Sequence, residues 1–323
     1  AGRGCEPVAG AATLAPLAPA GLGQSRAVTG PGSDREARAG WAFTAPALFL
    51  IGVFFVIPAL GALVLSFTDF DIYSLGEFRN TRFVGLKNYR DLLENPTFWI
   101  SLRNTGVFVL LGVPLSIGVS LGAALLLNAR LGRWGGLFRT AWFTPYVTTL
   151  VAVAIVWRYL YHPRYGWINA VLDRLGMTPV DWLGDPFPAM MAIVVLSVWK
   201  GFGYTMLVFL AGLQSIPEEL YEAARLDGAG VWRQFRHITL PQLRPTFLFV
   251  AIITFIGYCQ VFAEPYVMTQ GGPLKATTSI VLFMYEEGFR WWRIGPAAAI
   301  AMVLFLIMLA ATAVQLRFRR EDT

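Results

Sequence analysis

The chain has 323 residues, of which 56% are hydrophobic and 14% charged, with a formal net charge of +6 and 2 cysteines. Soluble domains carry about 25% charged residues, and here the apolar excess gathers into runs of about 20 residues or more, enough to cross a hydrocarbon core of roughly 30 Å. These properties exclude a soluble globular domain. With no basic stripe or recognised motif to use the positive charge, they also argue against a nucleic-acid partner.

In chain order, residues 1–40 are rich in Ala, Gly, Pro and Arg without periodicity and read as a disordered cytoplasmic tail. Cys5 follows no apolar run and Cys259 sits inside one, so neither a lipoprotein signal nor a disulfide framework is expected. Six apolar blocks predict membrane helices: Trp41–Phe67, Asn104–Asn128, Leu137–Tyr161, Pro188–Leu213, Thr246–Met268 and Pro296–Leu316. The expectation is an all-α polytopic membrane protein, with the membrane domain over 41–317 and a short cytoplasmic tail at 318–323. Pro58, Pro114, Pro145, Gly201 and Gly257 fall inside the blocks, which bundled membrane helices tolerate because neighbours satisfy the freed backbone groups. With the N-terminus inside, inner segments hold 14 Lys and Arg and outer loops 10, Arg103 and Lys200 being in spans. The positive-inside bias therefore places both termini in the cytoplasm.

Between the fourth and fifth blocks lies the hydrophilic stretch Ser215–Thr246. Ser215 and Glu218 have the spacing of a capping box, with Pro217 in the first turn. Glu218, Glu219, Glu222, Ala223 and Ala224 favour a helix with acids near its positive end. Gly228 and Gly230 are expected to stop it in left-handed conformations. A second short helix, Val231 to Leu240, is expected to end at Pro241. By pattern alone this is equally an ordinary amphipathic loop lying on the membrane.

The residues EAARLDGAGVWRQFRHITLP resemble the EAA loop of ATP-binding-cassette (ABC) importer permeases. Glu222, Ala223 and Ala224 come first, Gly228 follows after three residues, and Ile238, Leu240 and Pro241 after nine more. VGLKNYRDLL at Val84–Leu93, FWISLRNT at Phe98–Thr105, SVWKGFGYTMLVFLAGLQSIPEELYEAA at Ser197–Ala224 and YVMTQGGPLKATTSIVLFMYEEGF at Tyr266–Phe289 resemble the carbohydrate-uptake branch of that family. The likeness runs from about Trp41 to Arg319. It implies a MetI-like permease fold in a bacterial inner membrane, with the stretch 215–246 as a cytoplasmic coupling loop. Glu222, Ala223, Ala224, Asp227 and Gly228 are then the contact with a separate nucleotide-binding ATPase dimer, which binds ATP and Mg; this chain itself takes no cofactor. A second permease subunit, an extracytoplasmic solute-binding protein and a sugar complete the implied partners, with the lipid bilayer around them. The outer stretch Thr269 to Gly288 is implied to help receive the binding protein, although Gly271, Gly272 and Pro273 equally make a plain turn.

Two observations fit a non-enzymatic role. A phosphate-cradling Walker A loop needs Gly before its Lys, whereas Lys87, Lys200 and Lys275 follow Leu86, Trp199 and Leu274. His162 and His237 fall in loops or at the interface, so a His-based catalytic or metal cluster is poorly supported. Polar residues inside spans are expensive and therefore informative. The resemblance implies a substrate path at Tyr146, Ser197, Lys200, Gly201, Thr254, Gly257, Tyr258 and Val261, with Gln260 as a neighbouring polar candidate. Aromatic faces suit sugar rings and hydroxyl or amide groups bond sugar hydroxyls. The same residues serve equally as contacts between helices, and Lys200 is able to pair with Glu264. Glycerol 3-phosphate is the other substrate class in view, and an ATP-independent secondary transporter the other mechanism, although no clear internal repeat supports it.

Overall fold

The computed structural model describes Gly2 and residues 32–76, 81–129 and 134–320. It divides into two compact units, the first extending to Val56. The described part of the first unit is α1, Gly32–Ile51, running on through a π-turn at Gly52–Val56. Helix therefore begins at Gly32 and not at Trp41. Glu36, Ala37, Arg38 and Ala39 have high helix propensity, which the Ala/Gly/Pro/Arg composition masked. The rest of the expected tail, Gly2 apart, lies outside the described residues.

In the second unit, Asn95 and Pro96 open the longest helix. The Asn95 side chain accepts the Thr97 N–H at 2.9 Å, and Pro96 takes the first turn, where a missing N–H is harmless. The helix they start is α4, Pro96–Asn128. It follows α2, Ile57–Leu65, and the short surface helix α3, Lys87–Glu94. Buried Asn88 fastens α3 down by donating to the carbonyls of Ser66 at 2.9 Å and Thr68 at 2.7 Å. Next come α5, Gly135–Val147, and α6, Leu150–Leu160, which meet at a 97° bend. The loop helix α7, Trp167–Arg174, leads to α8, Pro186–Gln214. The hydrophilic stretch forms α9, Glu218–Leu226, α10, Val231–Gln234, and α11, Leu240–Gln242. The chain then re-enters the bundle as α12, Arg244–Cys259, and α13, Ala263–Met268, before α14, Ile280–Tyr285, and α15, Ile294–Arg320.

Among the described residues, five helices are long and apolar enough to span a membrane, or six if the bent pair α5–α6 is one span. The third expected span is thus broken, with Pro145 inside α5 and an extended pair, Thr148 and Thr149, at the corner. The last span runs on in helix to Arg320, past the expected tail boundary at 318. Helices pack through small residues, as association within lipid requires. On α4, Ser116, Ser120, Ala123 and Ala124 are buried, and the Ser120 hydroxyl pairs with that of Thr205 on α8. A side chain on Gly203 would strike the backbone of Trp142 and Phe143, so α5 and α8 touch at backbone distance.

The hydrophilic stretch Ser215–Thr246 departs from the sequence reading in three places. Ser215 ends α8 and donates to the Gly212 carbonyl at 2.7 Å, so the Ser215–Glu218 capping box does not form. Gly230 is extended, and only Gly228, at φ +74°, takes the left-handed conformation. The helix also passes Pro241, because a π-turn at Phe235–Thr239 widens the backbone just ahead of it. That widening takes up the missing N–H and the ring clash of an internal proline.

Candidate functional site

On α8, Ser197, Lys200, Gly201, Tyr204 and Thr205 fall at i, i+3, i+4, i+7 and i+8, and therefore on one face. On α12, Thr254, Gly257 and Tyr258 repeat the start of that spacing, and Val261 follows just beyond the helix end. The two faces meet Phe108 and Ser116 of α4, Tyr146 of α5, Ile253 and Glu264 around a cavity of about 400 Å³, within the roughly 300–1,000 Å³ of small-molecule sites. Eight of the nine residues expected on the substrate path line it: Tyr146, Ser197, Lys200, Gly201, Thr254, Gly257, Tyr258 and Val261. Gln260 does not. It lies six residues beyond Thr254, about 240° around a helix, and its amide reaches Met308 of α15 at 3.9 Å. Phe108, Ser116, Tyr204, Thr205, Ile253 and Glu264 were missing from the expected set. Continuing each helical face by one turn finds Tyr204, Thr205 and Ile253. Nothing in the sequence marks Phe108 as different from its apolar neighbours.

The walls are part aromatic and part polar. Tyr146 and Tyr204 stack with ring centroids 5.1 Å apart and planes 19° from parallel. Tyr258 lies flat against α4 at Gly112, where any side chain would collide with its ring, and packs 5.1 Å from Phe108. Gly201 and Gly257 face open space, with no atom within 4 Å of where a Cβ would stand. Thr254 and Tyr258 are 7% and 8% exposed. The Thr254 hydroxyl has no partner among the described residues, and that of Tyr258 approaches Ser116 without reaching good hydrogen-bond geometry. A buried polar group left unmatched costs about 1–3 kcal/mol, and each of these hydroxyls is able both to donate and to accept.

The two charged residues behave differently. Glu264 accepts from the Ser197 hydroxyl at 3.3 Å. Lys200 does not close an ion pair with it. Its ammonium donates to the carbonyls of Pro145 at 3.0 Å, Tyr146 at 3.0 Å and Thr148 at 2.8 Å. All three ammonium donors are used. Among the described residues no three His, Cys, Asp or Glu side chains converge as a metal site.

Away from the cavity, α9 ends in a complete Schellman motif. The Ala229 N–H reaches the Ala224 carbonyl at 2.8 Å and the Gly228 N–H reaches Arg225 at 3.1 Å. The Tyr221 hydroxyl bonds Thr239 at 2.9 Å and ties α9 to the π-turn. Glu222, Ala223, Asp227 and Gly228 are exposed and Ala224 partly so. Close to them in sequence, Leu226, Val231 and Trp232 are 90%, 85% and 70% exposed. At the other end of the bundle, Asn104 of α4 donates to the carbonyls of Lys275 at 2.7 Å and Thr278 at 3.1 Å, and the Thr105 hydroxyl accepts the Ile280 N–H at 2.9 Å. These bonds hold the loop that carries Gly271, Gly272 and Pro273.

Residues 116–321 match the family described as the binding-protein-dependent transport system inner membrane component. The chain belongs to that family. It is 38% identical over 291 residues to the trehalose/maltose transport system permease protein MalF of Thermococcus litoralis, covering 89% of this chain and 96% of that protein. It is 37% identical over 287 residues to the lactose transport system permease protein LacF of Rhizobium radiobacter, covering 87% and 94%. Its fold is similar to that of a chain in the crystal structure of a bacterial alginate ABC transporter, with a TM-score of 0.75, 22% identity, and 90% and 97% of the two chains covered. A chain of the MetNI methionine ABC transporter matches at a TM-score of 0.51 over 71% of this chain. The protein is therefore a multi-pass inner-membrane permease, the non-catalytic membrane subunit of an ABC importer, and the predicted all-α MetI-like fold is the observed one.

Proposed function

We propose that this permease forms part of the translocation path for an uncharged sugar, imported at the expense of ATP hydrolysed by a separate subunit. The observation that carries the reading is the cavity between α4, α5, α8 and α12, where stacked Tyr146 and Tyr204 stand near the unmatched hydroxyls of Thr254 and Tyr258. Aromatic faces accept the C–H faces of a pyranose, and unmatched hydroxyls accept or donate to its OH groups. Relatives named for trehalose and maltose and for lactose support a carbohydrate. The phosphate reading has less support, because the one lysine in the cavity spends its donors on carbonyls.

The exposed patch of Glu222, Ala223, Ala224, Asp227 and Gly228, with Leu226, Val231 and Trp232, is the docking knob for the ATPase dimer that binds ATP and Mg. A second permease subunit closes the open side of the cavity, and an extracytoplasmic binding protein delivers the sugar. Both termini lie in the cytoplasm. Assembled with these partners in proteoliposomes, the wild type is expected to take up at least one of maltose, trehalose or lactose and not glycerol 3-phosphate. Gly257→Leu, whose Cβ would meet no atom within 4 Å and whose side chain adds bulk at the cavity, is expected to abolish that uptake while ATP hydrolysis continues. Full uptake by this variant, or uptake of glycerol 3-phosphate alone, overturns the proposal.

A further inference from the structure

Lys200 is the cation of the cavity, and its geometry points to a task other than holding solute. The α5–α6 corner leaves the last carbonyls of α5 without intrahelical partners. Inside a membrane there is no bulk water to satisfy them, and irregular backbone persists only where protein or a cavity supplies partners. Pro145 already removes one donor from this turn. The Thr148 hydroxyl donates to the Pro145 carbonyl at 2.7 Å, and the Lys200 ammonium serves Pro145, Tyr146 and Thr148 together. A cation at a helix C-terminus also meets the negative end of the helix dipole. The same ammonium lies 5.9 Å from the centre of the Tyr146 ring, which stacks on Tyr204 one turn along α8.

We propose that Lys200 is a positioning residue: it staples the 97° corner of the third span to α8 and so holds Tyr146 over the cavity, without itself binding solute. The transport arm of its test rests on the sugar reading above, and the distance arm does not.

The test uses the assembled transporter in nanodiscs, with C5S and C259S removing native thiols and spin labels at Phe138→Cys on α5 and Val156→Cys on α6, both side chains being exposed. The wild type and K200R are expected to give one narrow distance distribution, because arginine also donates to several carbonyls. K200M is expected to broaden or shift it. In uptake, K200M is expected to lower the maximal rate roughly tenfold or more and, by releasing Tyr146, to raise the half-saturating sugar concentration as well, and K200R to restore most of both. Should K200M fail to assemble, K200A, which likewise has no donor, reads the same two quantities. An unaltered distribution in K200M or K200A overturns the proposal. So does a raised half-saturating concentration at an unaltered maximal rate, which marks a residue that touches the solute. If the wild type transports no sugar tested, the distance arm still decides the role of Lys200.

Discussion

The knob at α9 and the cavity between the spans are built by opposite means. The knob is local: a run of helix formers, a left-handed glycine and two backbone bonds complete it within a dozen residues. The cavity is assembled from residues far apart in sequence, Phe108 to Glu264, and exists only because α4, α5, α8 and α12 present the right faces to one another. A local device is fragile at one position and indifferent to its neighbours. An assembled one fails where its space is filled or where a close contact between its helices is forced apart.

That contrast is broken most directly at Gly228. Gly228→Pro removes the N–H that bonds Arg225 and forbids φ +74°, a disruption of about 3 kcal/mol. Uptake in proteoliposomes is expected to vanish, while membrane insertion and sugar binding persist. Wild-type uptake in this variant refutes the docking role. The cavity's weak point is Gly112. Gly112→Val drives a side chain into the Tyr258 ring, and overpacking of this kind costs about 1–3 kcal/mol. The expected result is a lower unfolding temperature together with a strong loss of uptake; an unchanged thermal profile removes the Gly112–Tyr258 contact from the argument. The smallest effect belongs to Thr254→Val. Removing an unmatched buried hydroxyl is expected to leave stability unchanged or raise it by up to about 1 kcal/mol, while the half-saturating sugar concentration rises roughly two- to tenfold. A fall in stability shows that Thr254 already has a partner.

Legibility in the sequence followed the same divide. The knob's first helix and Gly228 were readable because helix-forming residues, acids near the N-terminus and a C-terminal glycine act within one or two turns. Where reading failed there, at Ser215 and Pro241, the competing partner was a neighbouring turn: the end of α8 took the Ser215 hydroxyl, and a π-turn absorbed the proline. The six apolar blocks found the five long helices and the bent pair α5–α6, because crossing lipid demands a long apolar run, but not every boundary: α4 starts at Pro96 and not at Asn104. The 97° corner was hidden, because Pro145 within an apolar run signals tolerance as readily as a break. Gln260 was misplaced for want of a helical wheel, and Lys200 was legible as unusual but not as a cap for carbonyls more than fifty residues away.

One helix joins the two regions. At 33 residues, α4 is about 50 Å long. Near its start Asn104 and Thr105 grip the loop around Lys275, and its last residue, Asn128, lines a recess shared with Tyr221 and Arg225 of α9. Neither terminus can slide along the axis without dragging the other. A push delivered on one side of the bilayer thus has a solid strut, not a relay of loosely packed side chains, by which to be felt on the far side.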